Sequence, residues 1–397
     1  MLKLSERALN IQESPIRKLT PIADKVKSKG THIYHLNIGQ PDLPTPKAMF
    51  NVFHNFNEEV LAYGPSRGLK NYRENLAGYY NRHDADVTSE DIIVTTAGSE
   101  ALILAMLTLC SAGDEIIVPE PFYTNYNGFA TVTGVKIVPC TTYAEEGFRL
   151  PAKEEIEKLV SKKTKAFLIC NPGNPTGAVC TREELEMIAE IAVEKDLFII
   201  SDEVYREFVY DGEIHTSILN IDSVKNQAVV ADSVSKRYNA CGARIGCLVS
   251  KNPEIIESAM KFAQARLCPP TIDQMAANAV TELGENYFNP IIAEYDKRRN
   301  IVFEEVQKIE GAVCRKPKGA FYIMVKLPID DCEPFVRWLL NEFRIDKETV
   351  MVAPGEGFYA TPGLGKSELR IAYILKEKDL RKAMKIFREG FEIFRNM

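Results

Sequence analysis

Residues 233–248 read SVSKRYNACGARIGCL. Two serines flank Val234, Lys236 follows the second, and Arg244 stands eight residues further on, between Gly242 and Gly246. Hydroxyls and a guanidinium brought to one point suit a phosphate, because both donate hydrogen bonds to its oxygens. A lysine beside a bound phosphate suits a Schiff base with a phosphorylated aldehyde. Ser233, Ser235, Lys236 and Arg244 are therefore the first candidates for a site.

Other stretches with chemical potential each carry two readings. TTAGSEAL (95–102) leaves an apolar run, passes Gly98 and Ser99 and enters an apolar helix. Free N–H groups and the positive helix end suit a phosphate there, but Ser99 is equally an ordinary helix cap. NPGNPTG (171–177) fixes a rigid loop after KAFLIC. It is either a strand-to-helix turn capped by Thr181 or a mount for Asn174 as donor to a ring oxygen. SDEVYREF (201–208) ends the run LFIISD. Asp202 either opens a helix in solvent or, buried beneath a ligand, holds a protonated ring nitrogen, with Tyr205 in reach of the same ligand. FYTNY (122–126) places Tyr123 where an aromatic stacks on a planar cofactor or fills core. Tyr63, in YGPSRGL (63–69), says little by itself. Arg370 lies in the apolar strand LRIAY (369–373). A buried guanidinium needs a carboxylate, from this chain or from a substrate.

These residues need elements to position them. Apolar runs at 91–96, 114–119, 135–139, 165–170, 197–202, 226–232 and 245–250 read as seven strands. Helical stretches lie between them, at 99–110, 151–160 and 181–196. Strands apolar on both faces and alternating with helices predict an α/β, mostly parallel sheet covered on both sides. Ligands bind such sheets at the carboxyl ends of the strands, where the chemically interesting residues of this region fall. After residue 285 a long helix (295–309), strands at 320–327 and 369–374, a helix at 334–343 and a C-terminal helix predict a smaller α+β domain. The expected division is an N-terminal arm and part of the small domain at 1–45, a large domain at 46–285 and a small C-terminal domain at 286–397.

The 397 residues are too many for one small core. Hydrophobic residues make up 45% and charged residues 26%, as in a soluble globular protein. A net charge of -6 argues against a nucleic-acid or anionic-membrane partner. No apolar run approaches the roughly 18 residues of a membrane span, and the first residues lack the apolar core of a secretory signal. Nine cysteines, odd in number and without C-x-x-C spacing, read as reduced thiols of a cytoplasmic protein. His32 and His35 have no third ligand nearby and read as a structural pair; no metal site is expected.

The order and combination of the motifs resemble the class I/II aminotransferases, the aspartate-aminotransferase-like branch of fold-type I pyridoxal-phosphate enzymes. The resemblance runs from NIGQPD (37–42) through YGPSRGL, AGSEAL, PEPFY, NPGNPTG, SDEVY and SVSKRYNACGARIG to LRIAY. It implies pyridoxal 5'-phosphate as cofactor. Lys236 matches the lysine that forms the internal aldimine and shuttles protons, and Asp202 the partner of the pyridine nitrogen. Tyr205 and Asn174 match donors to the ring's phenolic oxygen, and Tyr123 the aromatic stacked on the ring. Ser233, Ser235, Arg244, Gly98 and Ser99 match the phosphate cup. Tyr63 matches the tyrosine reaching a neighbouring subunit's phosphate, which implies a homodimer with shared sites. Arg370 matches the grip on the substrate's α-carboxylate, with Gly39 and Asn174 lining the same pocket. The implied reaction moves an amino group from an L-amino acid, aspartate-like or broad including aromatic, to a 2-oxo acid such as 2-oxoglutarate. A lyase on the same fold is the alternative. A non-catalytic regulator is disfavoured by the acidic charge and by a fold that begins within the first 40 residues.

One departure bears on substrate choice. Dicarboxylate-specific relatives carry an extra cation, a lysine where this chain has Ser99 or an arginine where alignment on Pro269-Pro270 gives Ala263. Arg266 stands close by, as a substitute contact for a distal carboxylate or as a surface or helix-capping residue.

Overall fold

The computed structural model describes residues 2–397. Its largest sheet has seven strands: β2 (Ile92–Thr95), β3 (Glu115–Glu120), β4 (Lys136–Thr141), β5 (Thr164–Cys170), β6 (Phe198–Asp202), β7 (Ala228–Ser233) and β8 (Gly246–Val249). β1 (His32–His35) lies outside this sheet. The order across the sheet is β2-β8-β7-β6-β5-β3-β4, and only β8 runs against its neighbours. Alternate side chains feed two separate cores. Ile93, Ile116, Leu168, Ile200, Val229 and Leu248 pack with the helices Ala97–Leu109 and Pro253–Ala265. Ile92, Ile117, Phe167, Ile199, Val230 and Val249 pack with Lys70–Asn81 and Arg182–Lys195. Strands sandwiched in this way are apolar on both sides, which is why the sequence shows continuous runs rather than alternation.

A third core joins β9 (Tyr322–Lys326), β10 (Glu348–Met351) and β12 (Glu368–Ala372) to the helices Cys332–Asn341 and Glu377–Phe394, with the short β11 (Ala353–Pro354) at its edge. β12 lies antiparallel between β11 and β9, and β1 pairs in parallel with β10. Leu19, Ala23, Val26, Ile33, Tyr34 and Leu36 share this core, so the N-terminal segment packs against residues that follow it by some 300 positions. The connecting helix runs from Glu285 to Val306, ten residues earlier than the sequence pattern suggests, with Pro290 inside it. Its first turn delivers Phe288 into the core that Lys70–Asn81 and Arg182–Lys195 form on the seven-stranded sheet, and that packing overrides the local helix breaker. The helix expected at 151–160 shortens to Lys153–Glu157.

Candidate active site

The carboxyl end of β7 passes into a four-residue helix, Val234–Arg237. Ser233 Oγ accepts from Ser235 N at 3.1 Å, lies 2.7 Å from Ser235 Oγ and donates to Ile245 O at 2.9 Å. This knot holds the two hydroxyls together at the strand end. Gly246 is required opposite it, because a Cβ there would stand 2.5 Å from Ala97 C and 2.7 Å from Gly98 N. Arg244 sits in the left-handed region at φ 54 and donates through Nη1 to Cys241 O at 3.0 Å. Lys236 Nζ donates to Gly39 O at 2.6 Å. Gly39 is equally constrained, since a Cβ would collide with the Tyr322 hydroxyl at 1.7 Å.

The helix after β2 starts at Ala97, whose φ is 63, and Thr96 is its cap residue. Ser99 is therefore in the first turn and is not the cap. The Glu100 carboxylate reaches back to Thr96 N–H and takes over the capping role. The N–H groups of the first turn have no intrahelical partner, and Gly98 and Ser99 line the same cleft as Ser233.

Asp202 ends β6, nearly fully buried. Burial pushes its carboxyl up to about 6, against the opposing pull of the Tyr126 hydroxyl, which donates to Oδ2 at 2.7 Å, and of the Val204 N–H. Tyr205 meets the Tyr322 hydroxyl at 2.9 Å, and burial lifts its phenol well above the usual range. Arg370 is 2% exposed. Its Nη1 donates to Asn174 Oδ1 at 2.8 Å and its Nη2 to Asn37 O at 2.6 Å. The guanidinium lies 4.4 Å from the Tyr322 ring centre and 4.8 Å from that of Phe358. Its Nε has no partner, and no carboxylate among the described residues meets it. Burial pushes its pKa down, the direction expected of a cation whose anion must come from outside the chain.

Gly39, Gly98, Ser99, Tyr123, Asn174, Asp202, Tyr205, Ser233, Ser235, Lys236, Arg244 and Arg370 all line one cleft of about 420 Å³. Tyr63 does not; its side chain is 82% exposed on the loop before the helix Lys70–Asn81. Arg266 also lies outside this lining. It turns away from the cleft, pairs with Glu100 at 2.9 Å and donates to Val94 O at 2.7 Å and Ser66 O at 3.0 Å. These contacts tie the helix end to β2. Sequence reasoning missed Tyr126, although its spacing of three from Tyr123 in the helix-opening FYTNY was a usable signal. It also missed Tyr322 and Arg17, which carry no motif. His32 packs on the edge of Tyr34, His35 Nδ1 lies 3.3 Å from Asn37 Oδ1, and no metal-ligand group of three or more occurs among the described residues.

Residues 31–387 match the family described as aminotransferase class I and II. The chain is 33% identical over 391 residues to aromatic-amino-acid aminotransferase 2 of Thermococcus litoralis, covering 96% of this chain and 97% of that one. It is likewise 33% identical over 399 residues to an aspartate aminotransferase of Pyrococcus abyssi, covering 98% and 99%. A solved alanine aminotransferase from Pyrococcus furiosus superposes with a TM-score of 0.89 at 32% identity, over 98% of this chain and all of that one.

Proposed function

Because the chain belongs to the class I and II aminotransferases, fold type I enzymes that depend on pyridoxal phosphate, we propose that this cleft moves an amino group from an L-amino acid to a 2-oxo acid, with Lys236 as its reactive amine. The observation that carries the proposal is Arg370, a buried cation without a carboxylate, opening into the same cleft as the Lys236 amine. Half-reaction screening of the holoenzyme tests it. Adding each L-amino acid should discharge the cofactor's absorbance and release the matching 2-oxo acid. Release of ammonia or sulfide instead would reassign the chain to the lyases.

The residues present fit the cofactor: paired hydroxyls, Arg244 and a helix start for its phosphate, and a buried acid for its ring nitrogen. When bound, pyridoxal phosphate supplies an aldehyde that condenses with amines and a ring that takes up the electrons of a cleaved Cα–H bond. Ser233, Ser235, Arg244 and the N–H groups at Gly98 and Ser99 hold the phosphate. Asp202 keeps the ring nitrogen protonated, and Tyr126 orients Asp202 through its 2.7 Å hydrogen bond. Tyr205 and the Asn174 Nδ2, left free because Oδ1 faces Arg370, donate to the ring oxygen. Tyr123, in the lining of the same cleft, would stack on the ring. Arg370 grips the α-carboxylate and so fixes which Cα bond is presented for cleavage. Lys236 Nζ, freed when an amine substrate takes its place, would accept and return the proton of the substrate's Cα.

Asp202 has a consequence for stability. A carboxyl whose folded pKa is raised destabilises the fold once ionised, fully above about 6 and not at all below its unfolded value. Asp202→Asn should therefore make the cofactor-free chain more stable at pH 8, by up to about 3 kcal/mol. The gap should close as pH falls from 6 towards 4. Urea unfolding of both cofactor-free proteins across that range measures it, and a pH-independent difference would mean the acid is not desolvated.

The division into a large domain (46–285) and a small one (286–397 with residues 1–45) is supported by the separate cores. Nine free thiols support a cytoplasmic location. No helix among the described residues is long and apolar enough to cross a membrane. A homodimer with shared sites is supported by the exposure of the large apolar side chains Val60, Leu61, Tyr63 and Leu267. Mixing Tyr63→Ala with Lys236→Ala subunits should then restore part of the activity, because one site of each heterodimer carries neither defect. A mixture that stays inactive despite proven subunit exchange would place Tyr63 within its own chain's chemistry or outside it altogether.

A further inference from the structure

The cleft is lined by four cations, Arg17, Lys236, Arg244 and Arg370, and by one carboxylate, Asp202. Lys236, Arg244 and Arg370 each have an anion or carbonyl to serve in the function proposed above. Arg17 has none, and it forms no ion pair with any described residue. We propose that Arg17 reads the distal carboxylate of a dicarboxylic substrate, an inference that rests on the aminotransferase reading and deepens it by naming a specificity-determining residue.

The backbone at Arg17 is tied to the small domain on both sides. Pro15 packs against Gly357, where a Cβ would stand 2.2 Å away. Ile16 joins the cluster containing Phe358, the ring that lies 4.8 Å from the Arg370 guanidinium. Lys18 pairs with Glu333, and Leu19 is fully buried in the small-domain core. Arg17 N donates to Ser14 O at 3.0 Å and Thr20 N to Arg17 O at 2.9 Å, closing the turn. A fixed backbone thus carries a free guanidinium into the cleft from the same wall that holds Arg370. A dicarboxylate brings two anions, and Arg370 and Arg17 are the two cations left to receive them. A planar guanidinium binds a carboxylate bidentately, so arginine suits this task better than a lysine would.

Arg17 remains exposed, whereas Arg370 is buried. An exposed arginine on a four-bond stem swings out to solvent when a neutral side chain enters, and Ile16, Ile38 and Leu102 then offer it an apolar wall. Arg17 therefore sets preference among substrates rather than access. No other lining residue supplies this charge: Ser99 is neutral, and neither Ala263 nor Arg266, which pairs with Glu100, lines the cleft.

The test compares holoenzymes of the parent, Arg17→Ala and Arg17→Lys. Calorimetry with maleate, an unreactive dicarboxylate, reads binding without turnover. Half-reactions with glutamate and phenylalanine read selectivity. In Arg17→Ala the maleate Kd should rise roughly tenfold or more, the scale of one charge-assisted contact. The glutamate-to-phenylalanine ratio of specificity constants should fall by a similar factor. Arg17→Lys should lie between, keeping the charge but losing the bidentate fork. Unchanged maleate binding, or equal losses with both amino acids, overturns the role of Arg17 while leaving the transaminase reading intact. A parent that discharges its cofactor with no amino acid overturns that reading, and this inference with it.

Discussion

Lys236→Ala should bind pyridoxal phosphate through the phosphate cup and yet turn over at least about four orders of magnitude more slowly. Two losses combine in this variant. The amine that joins the cofactor's aldehyde is gone, and so is the base that moves the Cα proton, a contribution worth roughly 100- to 10,000-fold by itself. The phosphate contacts are made by other residues, Ser233, Ser235, Arg244 and the helix start, whose knot does not involve the lysine. Cofactor retention and catalysis should therefore separate. Borohydride reduction of the parent followed by peptide mapping should place a pyridoxyl group on Lys236. A label on another lysine, or near-parental turnover by the variant, would remove Lys236 from the centre of the chemistry.

Asp202→Asn should slow the half-reaction at least about a hundredfold, equivalent to roughly 3 kcal/mol in the barrier. Asparagine keeps the shape of the side chain and still accepts from Tyr126 through its carbonyl oxygen, but it carries no charge to hold a proton on the ring nitrogen. The same burial that pushes the Asp202 carboxyl up to about 6 in the cofactor-free protein strengthens its pairing with a ring cation, because little solvent screens the two. The variant is expected to be more stable without cofactor and much slower with it. Stopped-flow absorbance with the best amino donor measures the rate, and a loss of less than tenfold would show that Asp202 does not support the ring nitrogen.

Much of the candidate site was legible in the sequence because its residues are concentrated in short loops that follow apolar strands. Asp202 closes β6, Ser233 closes β7, and Asn174 follows β5 within a few residues. A strand end in a parallel sheet faces the common ligand edge, so local pattern already implied a shared location. Arg370 was legible for a different reason: a guanidinium in an apolar strand demands an anion wherever the strand lies. The seven strands could be read because burial on both faces leaves runs such as KAFLIC and NQAVVAD, whose meaning does not depend on their neighbours.

Pairings between distant segments were not legible. The sequence determined that this chain is acidic, builds an α/β sheet and carries an aminotransferase's motifs, since composition and local pattern act within a few residues. Tertiary structure alone decided that Arg266 meets Glu100, 166 positions earlier, and so leaves the cleft. It also decided that Tyr126 aims at Asp202, 76 positions on, and that the arm holding Arg17 folds back to the wall beside Arg370. The physical reason is the same in each case. A long polar side chain takes whichever partner the packed backbone brings within about 3 Å, and that proximity is a property of the assembled cores rather than of any local stretch.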